Sequence, residues 1–372
     1  MPRSLQYDRK LFGVTIGLCL LGAVMVFSAS AVMARAQFGN GYWFLTRQLV
    51  WLALGLAGMF GLMNMDYRKL RQPRIVFTGL AVIFFMLLMV LIVDRSHQTN
   101  RWLRLGPASL QPSEFAKLVA VLYLAWFLAL RTRPRGPGVP GVNDFVQTLA
   151  PALGPVVLLA GLIVIEPDFG TAFMILLVAL VLLYVTGLSL RYLLYAGLAA
   201  LPLLYFLVLR VPYRYQRIAA FLSPDADPKG HGFQLLQSLI AVGSGGLTGV
   251  GLMESRQKLF YLPEAHTDFI YAVLCEEWGY IGAIVVVALF AVYGWRGLRA
   301  ALKAPDEFGR LLALGISTMV VGQALINLSV VLGLLPTKGI PLPFISYGGS
   351  SLLVMLLATG VLLNISQHAD EP

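Results

Sequence analysis

The sequence predicts an all-α, polytopic membrane protein of about ten transmembrane helices, with one large extracytoplasmic loop between spans seven and eight. Three observations point there. Of 372 residues, 58% are hydrophobic and only 12% charged, and the mean hydropathy is +0.77. A soluble domain carries about 25% charged residues, so this chain could not keep its surface in water. The third observation is a series of apolar runs at 11–33, 43–64, 74–93, 113–130, 148–165, 171–187, 190–209, 267–294, 311–333 and 347–366. A span needs roughly 20 apolar residues, and short connections between such runs leave one membrane domain over 1–372.

The first run follows Asp8, Arg9 and Lys10 and has no small-residue cleavage site after it, so it is expected to stay as a helix. The fourth and sixth runs are short and carry polar residues. Prolines and glycines interrupt several others, which a helix bundle tolerates when neighbours satisfy the freed backbone groups. The connection at 210–266 is the largest. It mixes aromatic, glycine and charged residues with amphipathic stretches, so it is expected to fold back on the membrane surface.

Lysine and arginine set the orientation. Arg68, Lys69, Arg71 and Arg74 follow span two; Arg131, Arg133 and Arg135 follow span four; Arg296, Arg299, Lys303 and Arg310 follow span eight. All share a side with Arg3, Arg9 and Lys10 at the N-terminus. That side is expected to be the cytoplasm, and an even number of spans returns the C-terminus to it.

Composition also excludes some functions. Cys19 and Cys275 lie inside apolar runs, and His97, His231, His266 and His368 are scattered, so neither a disulfide framework nor metal-ligand spacing is present. The net charge of +10 has no soluble basic domain to carry it. Nucleic acid is therefore not expected, and anionic lipid or an anionic substrate suits it better. Arg95, Arg101, Arg104, Lys117, Arg214, Arg217, Lys229, Arg256, Lys258 and Lys338 fall outside or near the outer boundary, against the charge rule. They either solvate loops or receive an anion.

Several constellations could carry chemistry. The block 262–268 closes the long loop, with Thr267 as an expected cap of span eight and Asp268 in its first turn. Asp268 there is either a dipole-stabilising residue or a general base at the membrane boundary. The segment from Asn100 to Lys117 leads into span four, where Glu114 and Lys117 share a helix face as an ion pair or as a functional site. The run 243–251 contains five glycines but lacks the Lys-Ser/Thr of a phosphate loop, and is expected to be a flexible turn. Glu276 and Glu277, and Gln323 with Asn327, are expected to meet partners inside the bundle. Glu166 and Asp168 flank Pro167 in an acidic turn, for a cation or for solvent. The proline-rich strap at 336–351 is expected to be irregular and re-entrant.

In this order the motifs resemble those of the SEDS (shape, elongation, division, sporulation) family over nearly the whole chain. The residues carrying the likeness are Asn100-Arg101-Trp102 through Lys117, Pro167-Asp168-Phe169-Gly170-Thr171, Tyr215-Gln216-Arg217, the stretch 224–230, the glycine run, 262–268, and Ile345-Ser346-Tyr347-Gly348-Gly349-Ser350-Ser351. Leu335-Pro336-Thr337-Lys338-Gly339 looks more like division members than elongation members.

The resemblance implies a ten-helix peptidoglycan glycosyltransferase that polymerises lipid II on the outer face of the bacterial cytoplasmic membrane, at the division septum. Undecaprenyl pyrophosphate would leave in a single inverting displacement. A class B penicillin-binding protein would cross-link the product beside other division proteins. The family's essential acid maps onto Asp268. Arg101, Lys117, Arg217, Lys258 and Lys338 become candidates to stabilise the pyrophosphate, with room for a divalent cation (Mg or Mn) and no other cofactor expected. Glu264 and His266 would position Asp268 or the sugar, and Gln111, Glu114 and Ser346 complete the expected substrate-binding set. An elongation-type polymerase is the nearer alternative; a lipid II flippase or a recruiting scaffold are alternatives of other classes.

Overall fold

The computed structural model describes residues 7–93, 101–105, 108–132, 143–205, 210, 212–223, 230 and 232–369. Arg95, His97, Asn100, Arg133, Arg135, Lys229, His231 and the rest of 224–229 lie outside the described residues.

All ten apolar runs form helices. They are α1 (Arg9–Phe38), α2 (Trp43–Met63), α3 (Pro73–Val93), α4 (Pro112–Arg131), α5 (Ala150–Ile165), α6 (Phe169–Val185) and α7 (Leu190–Leu204). After the large loop, which holds α8 (Pro212–Leu222) and α9 (Phe233–Ser244), come α10 (Ile270–Leu302), α11 (Glu307–Val331) and α12 (Gly349–Gln367). Among the described residues, eight helices are long and apolar enough to cross a membrane once the turn Phe145–Leu149 is counted with α5. The helix α6 is shorter, at 17 residues, or about 25 Å at 1.5 Å per residue. A small hairpin of β1 (Leu103–Leu105) and β2 (Ala108–Leu110), unforeseen from the sequence, precedes α4.

Local chemistry fixes the helix ends. Asp8 caps α1 by accepting from the backbone N–H groups of Lys10 and Leu11 at 3.0 and 3.1 Å, and Arg296 pairs with the same carboxylate. The left-handed Gly39 ends α1, a conformation open to glycine at little cost. Pro112 opens α4, where a missing N–H is harmless. The helices α2 and α12 approach until a Cβ on Gly360 would lie 2.6 Å from the Met59 carbonyl. The core follows α4, α11 and α12, whose apolar windows are 61%, 72% and 78% buried against 17% for α2. The outer helices thus turn most of their surface to the surroundings.

The glycine run differs from the expected flexible turn. At Gly279 (φ 65°, ψ −161°) the helix α10 breaks. The turn after α9 docks into the break: Val250 and Gly251 donate to the carbonyls of Glu276 and Glu277, while Tyr280 and Ile281 donate to Gly246 and Leu247. Side chains at Gly245 or Gly249 would collide with α10 backbone. The glycines permit this close approach.

Candidate active site

One cavity of about 600 Å³ opens at the end of the bundle where α2, α4, α6, α10 and α12 begin. Six of the expected site residues line it: Arg101, Gln111, Glu114, Lys117, Glu264 and Asp268.

Asp268 stands two residues before α10, in a tight turn. Glu264 takes a left-handed φ of 54°, and the backbone N–H groups of Thr267 and Phe269 both donate to its carbonyl at 3.2 Å. A non-glycine residue held this way is strained, and such strain gathers at functional sites. Thr267 does not cap α10, contrary to expectation: its hydroxyl donates to the Glu264 carboxylate at 2.7 Å, and Phe269 is the cap residue. Three contacts hold the turn. Ser346 donates to the Thr267 carbonyl at 2.6 Å, Tyr347 N–H to the His266 carbonyl at 3.0 Å, and Asn327 to the Asp268 carbonyl at 2.7 Å. Burial in the cavity wall pushes the Asp268 carboxyl up to about 7, helped by the charges of Glu264 and Asp168 and opposed by Arg101 and Arg217. A carboxylate near neutrality is a competent proton acceptor.

Across the cavity, buried Asp168 accepts from Gln111, from Ser113 and from both the N–H and the hydroxyl of Thr171, at 2.9–3.1 Å. The acidic turn is therefore neither open nor solvated. Glu166 beside it is fully buried without a partner for either oxygen, and burial raises its pKa to about 8. Arg101 bridges to this turn by donating to the Glu166 and Pro167 carbonyls. Deeper, Lys117 pairs with Glu114 at 2.9 Å and donates to Gln323 at 2.6 Å, while Gln323 donates to the Pro341 carbonyl at 2.8 Å. The ion pair and the cavity wall are thus the same residues. Gln323 faces both the bundle and the cavity.

The other five expected residues do not line the cavity. Lys258 is buried in an ion pair with Glu277 at 2.8 Å and donates to Ser28 at 3.2 Å, tying the long loop to α1 and α10. Glu276 holds the same loop through Ser255 and the N–H groups of Arg256 and Gln257. Arg217 reaches the Thr337 carbonyl at 3.3 Å. Lys338 lies over the Phe173 ring at 5.0 Å, and burial lowers its pKa. His266 is buried against Phe44 and Tyr347, with its pKa lowered by burial, and Ser346 acts on backbone. Among the described residues, no three His, Cys, Asp or Glu side chains gather to hold a metal ion.

Sequence reasoning missed Arg47 and Trp51 and gave Tyr347 and Ser350 only as motif residues without a site role; all four line the cavity. Arg47 was hidden because it lies in the second turn of an apolar run. Ser350 accepts from Gln111 N–H at 3.0 Å and donates to the Ser109 carbonyl at 3.4 Å, joining α12 to the hairpin.

A half-buried carboxylate facing an ion pair and an arginine, in a cavity at one end of a helical bundle, defines a membrane protein that handles polar groups at the bilayer boundary. The chain belongs to the cell cycle protein family of FtsW, RodA and SpoVE, whose profile matches residues 9–371; this is the SEDS family. It is 43% identical to stage V sporulation protein E of Bacillus subtilis over 97% of each chain. It is also 43% identical to the probable peptidoglycan glycosyltransferase FtsW of Geobacter metallireducens, covering 97% of this chain and 95% of that protein. Among solved structures, RodA of Thermus thermophilus matches with a TM-score of 0.71 at 29% identity over all of both chains. A chain from a peptidoglycan synthase complex, described as coordinating polymerization and crosslinking, matches with a TM-score of 0.79 at 32% identity over 98% of this chain and 99% of that one.

Proposed function

We propose that the chain is a peptidoglycan glycosyltransferase that polymerises lipid II, with Asp268 as general base. The observation that carries this is the placing of Asp268: a carboxyl raised to about 7 in the wall of a cavity shared with Arg101 and Lys117.

In the proposed step, the 4-hydroxyl oxygen of an acceptor N-acetylglucosamine attacks the anomeric carbon of a donor N-acetylmuramic acid. Its proton passes to Asp268. The bond from that carbon to the phosphate oxygen breaks, and the electron pair leaves on undecaprenyl pyrophosphate. An α-linked donor then gives a β-1,4 product without a glycosyl-enzyme. A base supplies roughly 10²–10⁴-fold; positioning and stabilisation of the departing charge supply most of the rest.

The arginine and lysine pattern supports an outer-face cavity with cytoplasmic termini. The relatives named FtsW support a role in division, and the synthase-complex chain supports a cross-linking partner of the penicillin-binding class. The test is a labelled lipid II assay in proteoliposomes with that partner. Glycan strands formed from lipid II are expected; lipid II crossing the bilayer without polymer would replace this reading with a flippase.

A further inference from the structure

Three described cations line the cavity, and they differ in what surrounds them. Lys117 is paired with Glu114. Arg101 donates to two backbone carbonyls. Arg47 has no ion pair among the described residues; its guanidinium lies 4.0 Å from the Trp43 ring centre. Stacking on the indole holds its direction and leaves its charge without a counter-ion among the described residues.

The residues beneath Arg47 add a second observation. Arg47, Val50, Trp51 and Leu54 follow the i, i+3, i+4, i+7 spacing of one helix face, and all four line the cavity. Val50 and Leu54 are 59% and 54% exposed. They lie about one and two turns below the arginine, at about 5.4 Å per turn. Trp51 is fixed against Gly349, where a Cβ would collide with its indole. One wall thus carries a cation near the mouth and open hydrocarbon surface below it. A free sugar or nucleotide gains nothing from such a wall. An amphiphile with an anionic head and a long chain satisfies both parts, because a guanidinium can take two phosphate oxygens at once.

We infer that Arg47 binds the diphosphate of the prenyl-linked substrate, and that the Val50 and Leu54 face receives the first part of its prenyl chain. This assigns the diphosphate to α2, away from Lys258 and Lys338. It rests on the glycosyltransferase reading.

The test is direct binding to the full chain in nanodiscs, with undecaprenyl diphosphate, farnesyl diphosphate and inorganic diphosphate as probes. Wild type should bind the long-chain probe most tightly. Arg47→Ala should weaken it at least tenfold, and Arg47→Lys about threefold, since an ammonium keeps the charge without the fork. Val50→Asn with Leu54→Asn should shrink the preference for the long chain over farnesyl diphosphate while leaving inorganic diphosphate unchanged. Arg47 variants that elute and melt like wild type yet bind within twofold of it would overturn the inference alone. If Arg47→Ala does not fold, Arg47→Lys binding like wild type does the same. A wild type that binds no prenyl diphosphate would sink both this inference and the glycosyltransferase reading.

Discussion

The side-chain amide of Asn327 donates to the backbone carbonyls of Asp268 and Ile340, at 2.7 Å each. One buried residue on α11 therefore joins the turn that carries the carboxylate to the adjoining strap, whose Gly339, Ile340 and Pro341 also line the cavity. Its own oxygen is left without a partner, so its position rests on those two donations. Asn327→Ala leaves two carbonyls unsatisfied, at about 1–3 kcal/mol for each buried group. We expect a lower Tm, and a kcat reduced about tenfold with KM little changed. Steady-state polymerisation at several lipid II concentrations checks the split.

Gly339 gives a sharper test of the same geometry. A Cβ there would lie 2.9 Å from Oδ2 of Asp268, and the carboxylate is the movable partner. Gly339→Ala should keep the wild-type Tm while kcat falls about tenfold, because small misplacements at a reacting centre are costly. A variant as active as wild type would show that the carboxylate does not work from this position.

Much of this was legible in the sequence, and the gaps have physical causes. Hydropathy placed a helix under every apolar run, eight of them long and apolar enough to cross a membrane among the described residues, because a bilayer demands a continuous apolar run. The Glu114–Lys117 pair followed from its spacing of three. Lys258 and Lys117 could not be told apart in kind: both are cations near the outer boundary, and only the structure shows that Lys117 lines the cavity while Lys258 is buried elsewhere. Lys258 meets Ser28, 230 residues away, and Glu277, 19 residues away. The docked glycine run depended on a break at Gly279 that its own residues do not announce. Thr267 had the composition of a cap but was diverted to Glu264 by a left-handed turn that local spacing does not reveal.

Because Lys258 is a structural ion, its loss should act on stability. Lys258→Met leaves Glu277 buried and unpaired, at about 3–5 kcal/mol. Lys258→Met with Glu277→Gln should recover most of that loss. Thermal unfolding of the single and double variants in detergent checks the difference, and a fully stable single variant would contradict the pairing.

Asp268 should make folding depend on pH. Its carboxyl is raised from 3.8 to about 7 in the folded chain, so the folded state holds the proton more firmly. The resulting stabilisation is complete below pH 3.8 and is lost as pH rises through about 7. Asp268→Asn should therefore have a higher Tm than wild type at pH 8, with the gap closing toward pH 5. Differential scanning across that range measures it.

The base itself is tested most directly by polymerisation in the complex with the transpeptidase partner, comparing wild type with Asp268→Asn and Asp268→Glu across pH 5.5–8.5. The wild-type rate should climb with pH and level off above about 7. Asp268→Asn, folded and still binding prenyl diphosphate, should be slower by about 10²-fold or more, with Asp268→Glu in between. A folded Asp268→Asn chain that makes glycan within tenfold of the wild-type rate would contradict the assignment.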